Sequence, residues 1–317
     1  MTGERIGLLF PGQGSQAVGM GRDLAERFPA VRSLYEQADA RLGYSLSGLC
    51  WEGPEEQLTL TQNAQPALLV HSFAVWHLLR EAGVEVVAAA GHSLGELSAY
   101  TAAGTFDFAD AVETVHLRGA LMFVAGRQRP GTMAAVLGLD DAVVEQVCRE
   151  ASSGDEVVVA ANFNAPGQMV ISGDVAAVER ASALAVGAGA KKVTGLKVSG
   201  AFHSPLMNAA ERGLEEHLEG LAMSDPAFPV ISNVSTHPVT SAMDARALLI
   251  EQLTAPVRWT ECVRTLMGLG VTQLLEVGTG KVLTGMLKRI DPAAAGRGTP
   301  LGTADQIEAY LGSRVGV

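Results

Sequence analysis

Hydrophobic positions fall along this chain in two rhythms. Unbroken apolar runs, RIGLLF at 5–10 and VEVVAAA at 84–90, each stop at a glycine-bearing turn and predict short buried strands. Beyond Gly91 the spacing changes, and Leu94, Leu97, Ser98 and Ala102 share one helical face. The local order there is strand, GHSLG, helix. From 127 to 198 the texture shifts again. TMAAVLGL (132–139) predicts a strand and DDAVVEQVCREA (140–151) a helix that opens on Asp140. EVVVAAN (156–162) and QMVISGD (168–174) predict two strands joined through FNAPG. VAAVERASALAVGA (175–188) predicts a helix and KKVTGLKV (191–198) a last strand. The resulting order, βαββαβ, is ferredoxin-like. The pattern therefore predicts a compact subdomain, 127–198, inserted into a larger α/β body formed by 1–126 and 199–317. In that body FPVISNVS (228–235), TQLLEVG (272–278) and a helix near 304–312 continue the alternation.

Composition narrows the function classes. The 317 residues are 48% hydrophobic and 18% charged, enough apolar material for two domains of ordinary size. The formal charge is −11, with 23 Lys and Arg against 34 Asp and Glu, and no basic run marks a nucleic-acid or anionic-membrane partner. No uninterrupted apolar stretch reaches the roughly 18 residues that span a bilayer, and MTGERIGLLFPGQG lacks a secretory h-region. Cys50, Cys148 and Cys262 are widely spaced, which fits a reducing cytoplasm and neither a disulfide framework nor a zinc site.

Ser93, between Gly91 and Gly95, is the first candidate for chemistry. At a strand-to-helix elbow a serine Oγ is exposed for attack, and the N–H of the next residue, Leu94, points at the oxyanion that forms. This elbow makes the large body α/β-hydrolase-like. The alternative is a serine N-cap with glycine packing. A serine needs a base, and the chain has seven histidines. His92 would point away at an elbow; His71, His77, His116 and His217 fall in helical stretches; His237 lies in the loop STHPV. His203, after a strand and a small-residue turn, is the leading candidate. No acidic residue at a strand end completes a triad. FPGQGSQ (10–16) lacks the spacing of a phosphate loop, leaving a second oxyanion donor or a plain turn. Arg118 shares a helical face with Val115 and Met122, so it needs an anion: a buried Asp or Glu, or a substrate carboxylate.

With these residues in hand, the chain resembles the malonyl-CoA:acyl carrier protein transacylases of fatty acid and polyketide synthesis, essentially end to end. The matching stretches are FPGQGSQ (10–16), TQNAQPALL (61–69), GHSLGE (91–96), Arg118–Gly119 and GTMAAVLGLDD (131–141). They continue with NAPGQMVISG (164–173), GAFHSPLM (200–207), EQL..PVRW (251–259) and EVGTGKVLTGMLKR (276–289), where Thr279 stands in the usual place of proline. The resemblance implies that Ser93 is the nucleophile and His203 the base, oriented by a main-chain carbonyl instead of a carboxylate. It implies oxyanion N–H groups at Gln13 and Leu94, a malonyl carboxylate held by Arg118, and Gln252 supporting the histidine. Phe202 beside the histidine resembles the malonyl-selective pattern. Malonyl-CoA is the implied donor and the phosphopantetheine thiol of an acyl carrier protein the acceptor, in ping-pong order, with no metal or other cofactor. Rival readings are a discrete polyketide-pathway acyltransferase with another acyl group, a serine thioesterase or esterase, and an inactive scaffold.

Carrier proteins of this kind are acidic, as is this chain, so docking requires a local basic patch. All five lysines lie beyond position 190. Lys191, Lys192 and Lys197 close the subdomain, and Lys288 and Arg289 lie near the end of the large body, which predicts a cleft between the units with basic residues at its mouth. The chain is expected to act as a monomer.

Overall fold

The structure is a computed structural model and describes residues 4–315. Among these residues ten strands form two sheets. A six-stranded sheet contains β1 (Ile6–Phe10), β2 (Val86–Gly91), β7 (Val230–Ile231), β8 (Pro238–Val239), β9 (Gln273–Val277) and β10 (Gly298–Leu301). Its order is β10-β9-β1-β2-β7-β8, parallel throughout except for the β7–β8 pair. A four-stranded antiparallel sheet contains β3 (Gly131–Leu137), β4 (Val158–Ala165), β5 (Gln168–Asp174) and β6 (Lys192–Gly195), in the order β4-β5-β3-β6.

The unbroken apolar runs of β1 and β2 arise because the large sheet is covered on both faces. Side chains alternate along a strand, so Ile6, Leu8 and Phe10 enter one apolar cluster and Leu9 enters another. The first cluster lies under the helices Thr61–Glu81, Leu94–Ala102 and Phe108–Gln128; the second lies under Trp259–Gly268 and Val282–Ile290. Each fully buried Leu, Val or Phe contributes about 1.5–3 kcal/mol by leaving water. The four-stranded sheet buries its own cluster, including Val136, Val144, Val147 and Ile171, beneath the helices Asp141–Ala151 and Val175–Gly187. The chain leaves and re-enters the large body side by side: a Cβ on Gly126 would lie 2.2 Å from the Ser199 carbonyl oxygen. The main chain of β4 also bonds the large body directly, with Phe163 N donating to Val257 O at 2.9 Å and Val257 N to Ala161 O at 2.8 Å.

Two predicted strands are shorter than the apolar pattern implies. KKVTGLKV pairs only over Lys192–Gly195, because after Leu196 N bonds Met133 O at 2.9 Å the chain turns toward the cleft. FPVISNVS pairs over Val230–Ile231 alone. There the Ser232 hydroxyl accepts from Val234 N at 3.1 Å and Ser235 N at 3.3 Å, curling the chain out of the sheet.

Candidate active site

The C-terminal ends of β1 and β2 adjoin, and a tight turn follows β2. Ser93 sits there at φ 53°, ψ −108°. The turn leaves no room for side chains on either flank. A Cβ on Gly91 would fall 1.9 Å from the Gly95 carbonyl, and one on Gly95 2.0 Å from Phe10 O. A non-glycine residue in this region costs on the order of 1–3 kcal/mol and persists only where its surroundings enforce it. Both peptide groups of Ser93 are held. Its N–H donates to Asn233 Oδ1 at 2.8 Å, and its carbonyl accepts from Gln252 Nε2 at 3.1 Å.

His203 also has a positive φ, 55°, and is 3% exposed. Its Nε2 lies 2.7 Å from Ser93 Oγ. Its Nδ1 faces two main-chain carbonyls, Gln252 O at 2.9 Å and Ala255 O at 3.2 Å. Carbonyls only accept, which assigns the proton to Nδ1 and leaves the Nε2 lone pair for the serine O–H. Among the described residues no carboxylate orients this ring. Burial, and then the Arg118 charge, hold the imidazole down at about 3, so it stays neutral and able to take a proton.

Arg118, on Phe108–Gln128 between Val115 and Met122, is 1% exposed. Nη1 donates to Gln65 Oε1 at 2.8 Å, and Nη2 to Gln252 Oε1 at 2.9 Å and Ser93 Oγ at 3.3 Å. Nε is buried without a hydrogen-bond partner among the described residues. Among those residues no carboxylate forms an ion pair with it, which removes the buried salt bridge as its explanation. Burial lowers its pKa to about 10, against an opposing contribution from Glu96, so the guanidinium remains charged. A buried cation held only by neutral groups is a site for an anion.

These side chains open into a cleft of about 290 Å³ between the two sheets. Gln13, Ser93, Arg118 and Phe202 line it from the large body; Asn162, Asn164 and Val170 line it from the four-stranded unit. His92 N donates to Phe10 O at 3.0 Å, fastening the FPGQG turn beside the elbow. The His92 ring bonds Asn164 Oδ1 at 2.8 Å, on the opposite wall of the cleft. Gln13 Oε1 accepts from Thr61 Oγ1 at 2.7 Å. Leu94 begins the helix Leu94–Ala102, whose N-terminal N–H groups carry partial positive charge.

The basic residues are distributed differently. Arg289 donates to Gln168 Oε1 at 2.7 Å, at the cleft rim. Lys288 is exposed on the same helix, whereas Lys191 and Lys192, also exposed, adjoin or begin the edge strand β6 and do not line the cleft. Gln65, Asn233, Glu96 and Asn164 join the site without having been singled out in the sequence. Gln65 and Glu96 lie inside TQNAQPALL and GHSLGE, and a carboxylate on the otherwise uncharged helix LGELSAYTA was the one available signal. Among the described residues no group of three or more His, Cys, Asp or Glu side chains could hold a metal ion, and no helix is long and apolar enough to cross a membrane.

Known proteins resemble this chain over most of its length. Residues 8–290 match the acyl transferase domain family. The malonyl CoA-acyl carrier protein transacylase of Bacillus subtilis (strain 168) is 48% identical over 287 residues, 90% of each chain. Its counterpart from Escherichia coli (strain K12) is 45% identical over 287 residues, 90% of this chain and 93% of that one. Among solved structures, a malonyl-transacylase in complex with its type II PKS acyl-carrier protein superposes with a TM-score of 0.93 at 42% identity, covering 98% of this chain and 100% of that one. An acyl carrier protein S-malonyltransferase from Vibrio cholerae gives 0.92 at 43% identity, covering 97% and 100%. In its mixed α/β fold and along its sequence, the chain belongs to the malonyl CoA-acyl carrier protein transacylases of the acyl transferase family.

Proposed function

We propose that this enzyme moves a malonyl group from malonyl-CoA to the phosphopantetheine thiol of an acyl carrier protein through a malonyl-Ser93 ester. The observation that carries the reading is the buried, charged Arg118, ion-paired with no carboxylate among the described residues and 3.3 Å from a serine hydroxyl that is itself 2.7 Å from a neutral histidine.

In the first half-reaction His203 Nε2 takes the Ser93 proton as Oγ attacks the thioester carbon. The tetrahedral oxyanion is held by the main-chain N–H groups of Leu94 and Gln13, aided by the helix N-terminus. The imidazolium that forms is stabilised by the carbonyls of Gln252 and Ala255 at Nδ1. The C–S bond then breaks, and CoA departs with the proton from Nε2. Arg118 holds the malonyl carboxylate throughout, and Gln252 and Gln65 fix the guanidinium. In the second half-reaction His203 takes the proton of the carrier thiol, the thiolate attacks the ester, and Ser93 leaves with that proton. A thiol ionises near 8.5, so the imidazole needs less help than an amide-cleaving triad gives it. The residues of the site supply each step, and no metal or redox cofactor enters the scheme.

Phe202, 6% exposed on the cleft wall beside His203, limits the space next to the malonyl α-carbon and favours malonyl over branched acyl groups. We read residues 1–126 and 199–317 as an α/β-hydrolase-like catalytic body and 127–198 as a ferredoxin-like subdomain that supplies the opposite wall. The carrier protein docks at the rim marked by Lys288 and Arg289, with Lys191 and Lys192 extending the basic face. Three buried, unpaired cysteines suit a reducing cytoplasm. A thioesterase reading fails to use Arg118, because simple acyl esters give it nothing to bind. Ping-pong order is tested by a burst of one equivalent of CoA from malonyl-CoA before any carrier protein is added. No release without carrier protein would reject the acyl-enzyme scheme.

A further inference from the structure

One buried acid behind Ser93 has no part in the steps above. Glu96 lies in the first turn of Leu94–Ala102 and is fully buried. Its Oε2 accepts from Gln252 Nε2 at 2.6 Å and from Asn233 N at 3.1 Å. Its Oε1 makes no well-formed hydrogen bond among the described residues, and the Ser232 side chain lies beside the carboxylate. The two residues it holds are the two that hold the strained Ser93 backbone, Asn233 at the N–H and Gln252 at the carbonyl. One carboxylate oxygen stands behind both.

A carboxamide can be turned end for end, exchanging its oxygen and nitrogen. As placed, Gln252 Oε1 faces Arg118 Nη2 at 2.9 Å and Nε2 faces Glu96. Turned over, it would set N–H₂ against the guanidinium and oxygen against the carboxylate, two repulsive contacts in a buried site. Glu96 therefore acts with Arg118 and the Ser93 carbonyl to fix which end of Gln252 meets Arg118. Desolvation pushes the Glu96 carboxyl up to about 7, so both protonation states are present near neutrality. A proton on Oε1 leaves both bonds at Oε2 intact. The other titratable groups near Glu96 are Arg118, Tyr100 and Cys262; burial raises the pKa of the last two, so they stay neutral.

We propose that Glu96 is a positioning residue for acyl transfer: by accepting from Gln252 and Asn233 with one oxygen, it sets the Arg118 guanidinium and the Ser93 backbone together. The proposal rests on the malonyl-transfer reading.

The test compares loading of Ser93 from malonyl-CoA and from acetyl-CoA, with folded fraction measured by near-UV circular dichroism. A displaced catalytic geometry costs far more rate than binding, so Glu96→Ala should lower the malonyl loading rate by about tenfold or more. Because acetyl does not need Arg118, the malonyl-to-acetyl rate ratio should fall by about fivefold. Glu96→Gln, whose amide oxygen can accept both bonds, should recover loading to within about threefold of the parent enzyme. Should Glu96→Ala not fold, Glu96→Asp, too short to reach both partners, takes its place in the comparison. An unchanged malonyl-to-acetyl ratio, or a folded Glu96→Gln as slow as the alanine variant, overturns the proposal. Absence of malonyl loading in the parent enzyme would instead overturn the transfer reading itself.

Discussion

Ser93 and His203, 110 residues apart in sequence, both adopt positive φ, 53° and 55°, and meet at 2.7 Å between Oγ and Nε2. Neither conformation is one an L-residue chooses alone, and each costs on the order of 1–3 kcal/mol. Polar neighbours offset the strain, with Asn233 and Gln252 on Ser93 and two carbonyls on His203. The proposed nucleophile and base are thus set by the backbone before substrate arrives.

Removal of Arg118 should separate the acyl groups. Breaking a buried charge-assisted pair costs about 2–5 kcal/mol, so Arg118→Ala should lose malonyl transfer by well over tenfold. Acetyl transfer should persist or rise. Rates of loading from the two acyl-CoAs check this, and equal losses for both would assign Arg118 to structure alone.

Acid should weaken the fold before it reaches the base. Burial lowers the imidazole of His203 to about 3 and that of His71 to about 4, against an ordinary 6.5. The unfolded chain therefore binds more protons below pH 6.5, and the stability these neutral rings contribute above it is lost as pH falls toward their folded values. Glu96, raised to about 7, works in the opposite direction: its contribution is present below its ordinary 4.5 and fades as pH rises through 7. Burial also lowers the His92 imidazole, so between pH 6.5 and 4.5 three histidines act against Glu96, and Tm should drop on going from pH 7 to pH 5. A Tm that holds or rises over that interval contradicts this balance.

Much of the fold is legible in the sequence because turn residues bracket its strands. The βαββαβ order of residues 131–195 follows from them almost element by element. What escapes is the point at which a strand yields to a side-chain contact, as where the Ser232 hydroxyl ends β7. The long helix Thr61–Glu81 is buried on most sides and contains Pro66, so it offers no single apolar stripe. Ser93 and Arg118 are visible through local patterns, a glycine elbow and a charge on an apolar face. Asn233 and Gln65 are not, because they act by bonding groups 140 and 53 residues away, and no spacing records that.

Carrier-protein docking should depend on the exposed charge nearest the cleft. Lys288 is exposed on the helix whose neighbour Arg289 bonds Gln168 at the rim. Lys288→Glu should raise KM for the carrier protein and flatten its salt dependence, while loading of Ser93 from malonyl-CoA stays near the parent rate. If both half-reactions change alike, or neither does, the carrier docks elsewhere.

The proposed transfer requires an acyl group to reside at Ser93. Intact-mass measurement after mixing with malonyl-CoA alone, followed by peptide mapping, tests this directly. The geometry predicts one added malonyl mass, confined to the peptide that holds GHSLGE, and none in Ser93→Ala. A malonyl adduct on any other peptide, or one that survives Ser93→Ala, would contradict it.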